Sequence, residues 1–193
     1  GAVQAQWVVS DPSNLAQGIV NSSNEMVQTS STAQTMLKSF QETQKIYQQG
    51  KSYYDKLRAV SNLVRSARKV QQCILLVGEI SDLYVNNYQK LLSDPHFTVL
   101  ELSAIASGYT RLLQEGTYVL RDLQDIVNPT DLSMTDKDRL DVVDKSYAEL
   151  SRLRNLTSYF TRKNIGVALL RARKEDDMKR AMALYGTDAE KYF

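Results

Sequence analysis

Apolar or small residues recur along the chain at alternating spacings of four and three, which places them on one side of a helix. We call such a line of residues a seam. The first seam predicts one helix over about residues 13–92, roughly 120 Å long at 1.5 Å per residue, and we expect a break near Gly50 or Ser61-Asn62. Its positions are Leu15, Ile19, Ser22, Met26, Thr29, Ala33, Met36, Phe40, Thr43, Tyr47, Gly50, Tyr54 and Leu57, followed by Val60, Val64, Ala67, Cys73 or Ile74, Val77, Tyr84, Tyr88 and Leu91.

Two further seams predict a second helix over about residues 96–127 and a third over about residues 135–185. Thr135 and Asp138 resemble a capping box at the start of the third helix, and Gly186 supplies a left-handed cap at its end. The second seam is Leu102, Ile105, Tyr109, Leu112, Gly116, Val119, Leu123 and Ile126. The third is Leu140, Val143, Tyr147, Leu150, Leu153, Leu156 and Phe160.

These patterns predict an all-α fold, an elongated bundle of three long amphipathic helices. Residues 1–12 are expected to form an extended N-terminal arm, and residues 13–193 are expected to form a single helical domain. Asp11-Pro12, Asp94-Pro95 and Asn128-Pro129 each place a capping side chain before a proline, which is typical of a turn or a helix start. Short connections make the second and third helices a hairpin packed on part of the first.

The first predicted helix is longer than its expected cover, so part of it needs another partner or self-association. Between residues 15 and 50 the seam alternates larger apolar residues with small or hydroxyl residues. This thin stripe buries less apolar area per turn than a Leu or Ile seam. It fits either a tightly packed hairpin or a surface that faces a partner.

Charge argues against a nucleic-acid partner, because the formal net charge is only +2. Residues 1–50 carry five charged side chains, residues 121–144 carry seven acids and three bases, and residues 152–180 carry nine bases and three acids. No apolar run approaches the ~20 residues of a spanning helix, so we expect a soluble chain. The lone cysteine, Cys73, is expected to be a small buried hydrophobe.

Residues with catalytic or metal-binding chemistry are few. His96 is the only histidine, and we expect it to be solvated or to cap the second helix. The acids Asp131, Asp136, Asp138, Asp141 and Asp144 lack the spacing of a calcium loop and fit a helix start better. No phosphate loop, nucleophile elbow or dinucleotide fingerprint occurs. We therefore expect a protein that is not an enzyme and needs no cofactor or metal.

The seam tyrosines and one charged pair have simple structural interpretations. The tyrosines on the seams are expected to be core aromatics with solvated hydroxyls. Arg171 and Glu175 are spaced for an ion pair along one helix.

The N-terminal arm is the remaining candidate for function. Trp7, Val8 and Val9 precede the predicted helix cap, where no regular element obviously buries them. They fit either a docking peptide or a staple onto the bundle. Gly1 is interpreted as a tag remnant, and Ala2-Val3-Gln4-Ala5 has the small residues that flank a signal-peptidase site. A secretory leader is therefore expected to have been removed.

The arm also carries a resemblance to a known family. The reading Val-Val-x-Asp-Pro-x-Asn-Leu-Ala-Gln, followed by a polar amphipathic helix, resembles the TrbJ-type minor pilins of conjugative type IV secretion systems. The sequence of this chain is most similar to the TraI-like proteins of Bacteroides-type conjugative transposons. The residues that carry the resemblance are Val8, Val9, Asp11, Pro12, Asn14, Leu15, Ala16 and Gln17.

The resemblance implies a non-enzymatic component of the mating apparatus, located in the periplasm or cell envelope or exposed at a pilus tip. Its partners would be other subunits of the apparatus, without a small-molecule substrate or direct nucleic-acid contact. The expected partner-binding residues are Trp7, Val8, Val9, Asp11, Pro12, Asn14 and Leu15. Two alternatives are a secreted helical chaperone or holdase and a cytoplasmic nucleic-acid organiser. The balanced charge disfavours the organiser.

Overall fold

A computed structural model describes residues 64–126 and 135–186 of the 193-residue chain. This part is 90% helical and contains no strand, as the seams predict. Its four helices are α1 (Val64–Leu92), α2 (Val99–Ile126), α3 (Asp136–Lys174) and α4 (Met178–Tyr185). The N-terminal arm, the first predicted helix before Val64 and its expected break all lie outside the described residues.

The three long helices pack against one another as an up-down-up bundle. Ion pairs join Lys69 to Asp144 and Glu79 to Arg154, so residue numbers rise together and α1 runs parallel to α3. Glu101 pairs with Arg171 near one end of α2, and Gly116 lies against Leu150 nearer the other, so α2 runs antiparallel to α3. The predicted hairpin of the second and third helices, packed on the first, matches this arrangement.

A cluster of aromatic rings fills the core between α1, α2 and α3. Tyr84, Tyr88 and Tyr109 are fully buried, and the Tyr84 and Tyr109 rings stack with centroids 4.8 Å apart. Their hydroxyls are bonded inside the bundle, which corrects the expectation of solvated hydroxyls: Tyr88 donates to the Leu102 carbonyl oxygen at 2.8 Å, and Tyr109 pairs with Thr161 at 2.6 Å. Burial raises the pKa of Tyr84 and of Tyr109 to about 12.

Most predicted seam residues of α1 and α2 are buried, including Cys73, which is fully inaccessible. The third seam is correct at Val143, Leu150 and Leu153, but Leu140 and Leu156 are 36% and 41% exposed. The buried line continues instead through Thr157, Thr161, Ile165, Ala168, Leu169 and Ala172. The two threonines can replace leucine because each hydroxyl has a hydrogen-bond partner inside the bundle.

The third predicted helix is wrong at its C-terminal end, because α3 stops at Lys174 and a separate α4 follows. Asp176 has a positive φ of 56°. The Asp177 N–H donates to the Ala172 carbonyl at 2.7 Å, and the Asp176 N–H donates to the Arg173 carbonyl at 3.2 Å. This pair of bonds is a Schellman motif, with aspartate at the left-handed position usually held by glycine.

The remaining helix ends follow capping chemistry. Thr135 and Asp138 form the predicted capping box at the start of α3. A second box, not predicted, begins α2: the Glu101 N–H donates to the Thr98 hydroxyl and the Thr98 N–H donates to the Glu101 carboxylate. Gly186 ends α4 with φ 81° and ψ −179°, a conformation close to glycine-only, although it is not the left-handed helical one predicted.

No helix within the described ranges is both long enough and apolar enough to cross a lipid bilayer.

Candidate functional site

The connection between α1 and α2 holds a buried carboxylate. Asp94 is 1% exposed, and one of its oxygens, Oδ1, accepts the His96 backbone N–H at 2.9 Å. The same oxygen lies 2.5 Å from His96 Nδ1. The other oxygen, Oδ2, accepts the Tyr185 hydroxyl of α4 at 2.6 Å. Burial and the adjacent carboxylate raise the pKa of Tyr185 above its usual range.

His96 lies in the connection before α2 and does not cap it, and its side chain is only 2% exposed. The expectation of a solvated or capping histidine is therefore wrong. Its second ring nitrogen, Nε2, lies 3.3 Å from carboxylate oxygens of both Glu175 and Asp177, in the turn between α3 and α4. Neither of these contacts has hydrogen-bond geometry. Three carboxylates therefore surround one imidazole.

A carboxylate oriented on an imidazole also occurs in enzymes that use histidine as a base. In such sites the second nitrogen faces a hydroxyl, a thiol or a substrate. Here Nε2 faces two carboxylates, and Asp94 and His96 are both sealed inside the bundle. The geometry is structural, because these contacts fasten the α1–α2 connection to α4 and to the α3–α4 turn. We call Asp94, His96, Glu175, Asp177 and Tyr185 the His96 tie.

Arg171 of α3 strengthens the same end of the bundle. Its guanidinium donates to the His96 carbonyl oxygen at 2.8 Å and lies 2.6 Å from a Glu101 carboxylate oxygen. The hydrogen bond from Arg171 holds the pKa of Glu101 well below its ordinary value, at about 2. Arg171 therefore pairs with α2 and not with Glu175, the partner that the spacing of four predicted.

A line of exposed apolar side chains runs along the side of α3 that faces away from its buried residues. Leu156, Tyr159, Val167 and Leu170 are 41%, 50%, 40% and 58% exposed. With Lys163 they are spaced by three, four, four and three residues, so they share one helical face. The Lys163 ammonium lies 5.4 Å from the centre of the Tyr159 ring. We call these five residues the α3 outer face.

The surroundings of the α3 outer face are basic. Residues 150–174 contain seven bases, Arg152, Arg154, Arg162, Lys163, Arg171, Arg173 and Lys174, and no acid. Some of these charges are paired, because Arg152 binds Glu149, Arg154 binds Glu79 and Arg171 binds Glu101. Arg162, Lys163 and Lys174 are exposed. The face thus combines apolar side chains with positive charge.

The predicted partner-binding residues, from Trp7 to Leu15, all lie outside the described residues. Sequence reasoning missed both features found here. The His96 tie could have been suspected from Asp94-Pro-His followed by Thr98-x-x-Glu101, which moves the helix start past the histidine. The α3 outer face was hidden because Leu156 was assigned to the buried seam.

Comparison with known proteins gives one match, at the N-terminus. Residues 1–40 match a family described as a domain of unknown function, DUF4141. The matched range is about a fifth of the chain and lies outside the described residues. Neither a curated protein nor a solved structure matches the chain significantly.

Proposed function

We propose that this chain is a non-enzymatic structural or assembly component of a conjugative DNA-transfer apparatus, similar to the TrbJ-type minor pilins. It acts through protein–protein contacts in the periplasm or cell envelope. Its N-terminal arm, with Trp7, Val8 and Val9 as apolar anchors, engages other subunits of the apparatus. Tryptophan is among the residues that most often dominate the binding energy of such interfaces.

The observation that carries the proposal is the N-terminal motif. Val8, Val9, Asp11 and Pro12 resemble the mature start of the minor pilins, and they lie within residues 1–40, which match one family. The bundle supports the proposal in a second way. The Asp94–His96 pair in the described residues is buried and holds helices together, so it plays a structural part.

The test is to replace Trp7 and Val9 by Asp in the full chain, expressed in cells that carry a conjugative transfer operon. A charged side chain cannot be buried without a partner, so an apolar anchor changed to Asp loses its binding energy. We expect co-purification with other subunits and DNA transfer to fall at least tenfold, which corresponds to about 1.4 kcal/mol. Helicity and melting temperature are expected to stay unchanged.

Replacing Ser10 and Ser13 by Asp is the matched control, because it also adds two negative charges to the N-terminal segment, at the two unspecified positions of the motif. It is expected to leave co-purification and transfer intact. Loss of the fold in the Trp7 and Val9 variants would contradict the docking role and make the arm a staple on the bundle. Normal transfer with both anchors changed would contradict the proposed function itself.

The exposed apolar side chains of α3 favour a second candidate, a secreted holdase that binds unfolded clients. Such an activity would suppress aggregation of an unrelated denatured protein in proportion to the concentration of this chain. A dedicated subunit of a transfer apparatus is expected to leave that aggregation unchanged. Light scattering of a heat-denatured test protein separates the two functions.

A further inference from the structure

We propose that the α3 outer face (Leu156, Tyr159, Lys163, Val167 and Leu170) is a docking site for an acidic amphipathic helix of a partner protein. This surface is separate from the N-terminal arm. The two proposals therefore stand or fall independently.

The spacing of the face is that of a helix–helix seam. Its residues recur every three or four positions over about four turns, roughly 21 Å at 1.5 Å per residue. The buried seam of α3, through Thr157, Thr161 and Ile165, packs against the rest of the bundle. The outer face is a second seam on the same helix, and no described helix covers it.

The shape of the face favours a helix over a lipid surface. Its four apolar side chains are between 40% and 58% exposed. They form a line one residue wide, which can receive the knobs of a partner helix. A helix that lies in a bilayer surface needs a broad apolar side that can be buried several ångströms deep.

Charge indicates the sign of the partner. Seven bases and no acid occur between residues 150 and 174, and three of the bases, Arg152, Arg154 and Arg171, already pair with Glu149, Glu79 and Glu101. Exposed Lys163 sits at the middle of the face, and exposed Arg162 and Lys174 lie beside and beyond it. A partner helix with apolar residues along its seam and Asp or Glu on its flanks would bury the apolar line and neutralise these charges.

The same charges disfavour a second copy of this chain. Lys163 is seven residues from both Leu156 and Leu170. Pairing two outer faces leucine to leucine, parallel or antiparallel, therefore places Lys163 opposite Lys163. Like charges placed directly opposite one another across an interface oppose binding.

The upstream part of this chain is also a poor occupant. Residues 13–63 contain five bases, Lys38, Lys45, Lys51, Lys56 and Arg58, against three acids, Glu25, Glu42 and Asp55. Its seam has apolar residues at the right spacing, but it does not supply the negative flanks that the face calls for. An acidic helix of another protein fits the face better than this segment does.

The probe for the test is a synthetic amphipathic helix with Leu on its seam and Glu on its flanks. A matched peptide carries Lys in place of every Glu, and vesicles of phosphatidylcholine and phosphatidylglycerol in equal parts serve as the lipid probe. Binding to the full chain is measured by fluorescence anisotropy of the labelled peptide and by vesicle co-sedimentation.

Two tyrosines give a matched pair of variants. Tyr159 on the face and Tyr118 on α2 are 50% and 56% exposed, and each has a cation 5.4 Å from its ring centre. Tyr159→Ser is expected to weaken binding of the acidic peptide at least tenfold, whereas Tyr118→Ser changes it less than twofold. Binding is also expected to weaken as salt is added.

Four results would overturn the proposal. They are equal binding of the Lys peptide, equal effects of the two serine variants, vesicle binding that depends on Tyr159, and a dimer in sedimentation that Tyr159→Ser dissociates. The last two would assign the face to a lipid surface or to a second copy. Melting curves of both variants, expected to match the parent chain, keep a folding defect from being mistaken for lost binding.

Discussion

Asp94 shows how one buried carboxylate can hold the end of a bundle. Its two oxygens bind the His96 backbone, the His96 ring and the Tyr185 hydroxyl, and these groups belong to the α1–α2 connection and to α4. A buried charge is tolerated only when such partners replace its hydration. The short α4 is therefore anchored through a charge as well as through its buried residues Ala181 and Tyr185.

Tyr185→Phe tests this anchor. The variant leaves Asp94 Oδ2 buried without its donor, and a hydrogen bond to a charged group is more costly to lose than one to a neutral group. We expect the free energy of unfolding to fall by about 2 kcal/mol. The measurement is urea denaturation followed by circular dichroism.

Tyr88→Phe is the matched control, because the Tyr88 hydroxyl donates to the neutral carbonyl of Leu102 in the core. Its loss is expected to cost about 1 kcal/mol or less. Equal losses in the two variants would show that the charge of Asp94 adds nothing to the tie.

Single residues were predicted well where burial follows from apolarity alone. Cys73 is buried as expected, and its thiol pKa is raised to about 12 by that burial. His96 and Leu156 were assigned wrongly. The environment of His96 depends on Glu175 and Asp177, about eighty residues away in the sequence. Thr157 is buried in place of Leu156, and its hydroxyl can be buried because it donates to the Leu153 carbonyl oxygen of the same helix. Sequence spacing encodes neither circumstance.

Two glycines of α2, Gly108 and Gly116, differ in how closely side chains of the neighbouring helices approach them. A Cβ on Gly108 would lie 2.6 Å from Phe160 Cζ of α3, nearer than real contacts allow. A Cβ on Gly116 would meet side-chain atoms only at 3.7 Å, which is ordinary contact. A Cβ at position 108 therefore forces the Phe160 ring to move, whereas a Cβ at position 116 fits without a shift.

Gly116→Ala is expected to stabilise the chain by up to about 1 kcal/mol, because alanine is the better helix former. Gly108→Ala gains the same propensity but must displace the Phe160 ring, and overpacking costs about 1–3 kcal/mol. We expect a net loss of about 1 kcal/mol. Thermal unfolding of the two variants side by side measures the difference, and the same sign of change in both would contradict the close α2–α3 approach.

The positions and directions of the three long helices were predicted better than their ends, and the fourth helix, α4, was not predicted as a separate element. The seams located α1, α2 and most of α3, since the three-and-four period reports which face is buried. The end of α3 was not predicted, because Asp176 adopts a left-handed conformation. In a sequence, a glycine is the usual sign of that conformation. The start of α2 was placed three residues early because the capping residue is Thr98 and not a residue beside Pro95.

At the scale of the whole molecule, the described bundle has a filled core and one outward-facing apolar surface. The core and the His96 tie join α1, α2, α3 and α4 into one body. The α3 outer face is proposed to bind one partner through its apolar and basic groups, and the N-terminal arm is proposed to bind another through Trp7 and its neighbours. We propose that the protein works through contacts with other proteins rather than through chemistry on a substrate.

Site-specific photocrosslinking in cells that carry a conjugative transfer operon tests that account most directly. A photoreactive amino acid at position 8, in place of Val8, is predicted to give a light-dependent adduct with another subunit of the apparatus. The same group at position 118, in place of the exposed Tyr118, is predicted to give none. No adduct at position 8, or the same adducts in cells without the operon, would contradict the account.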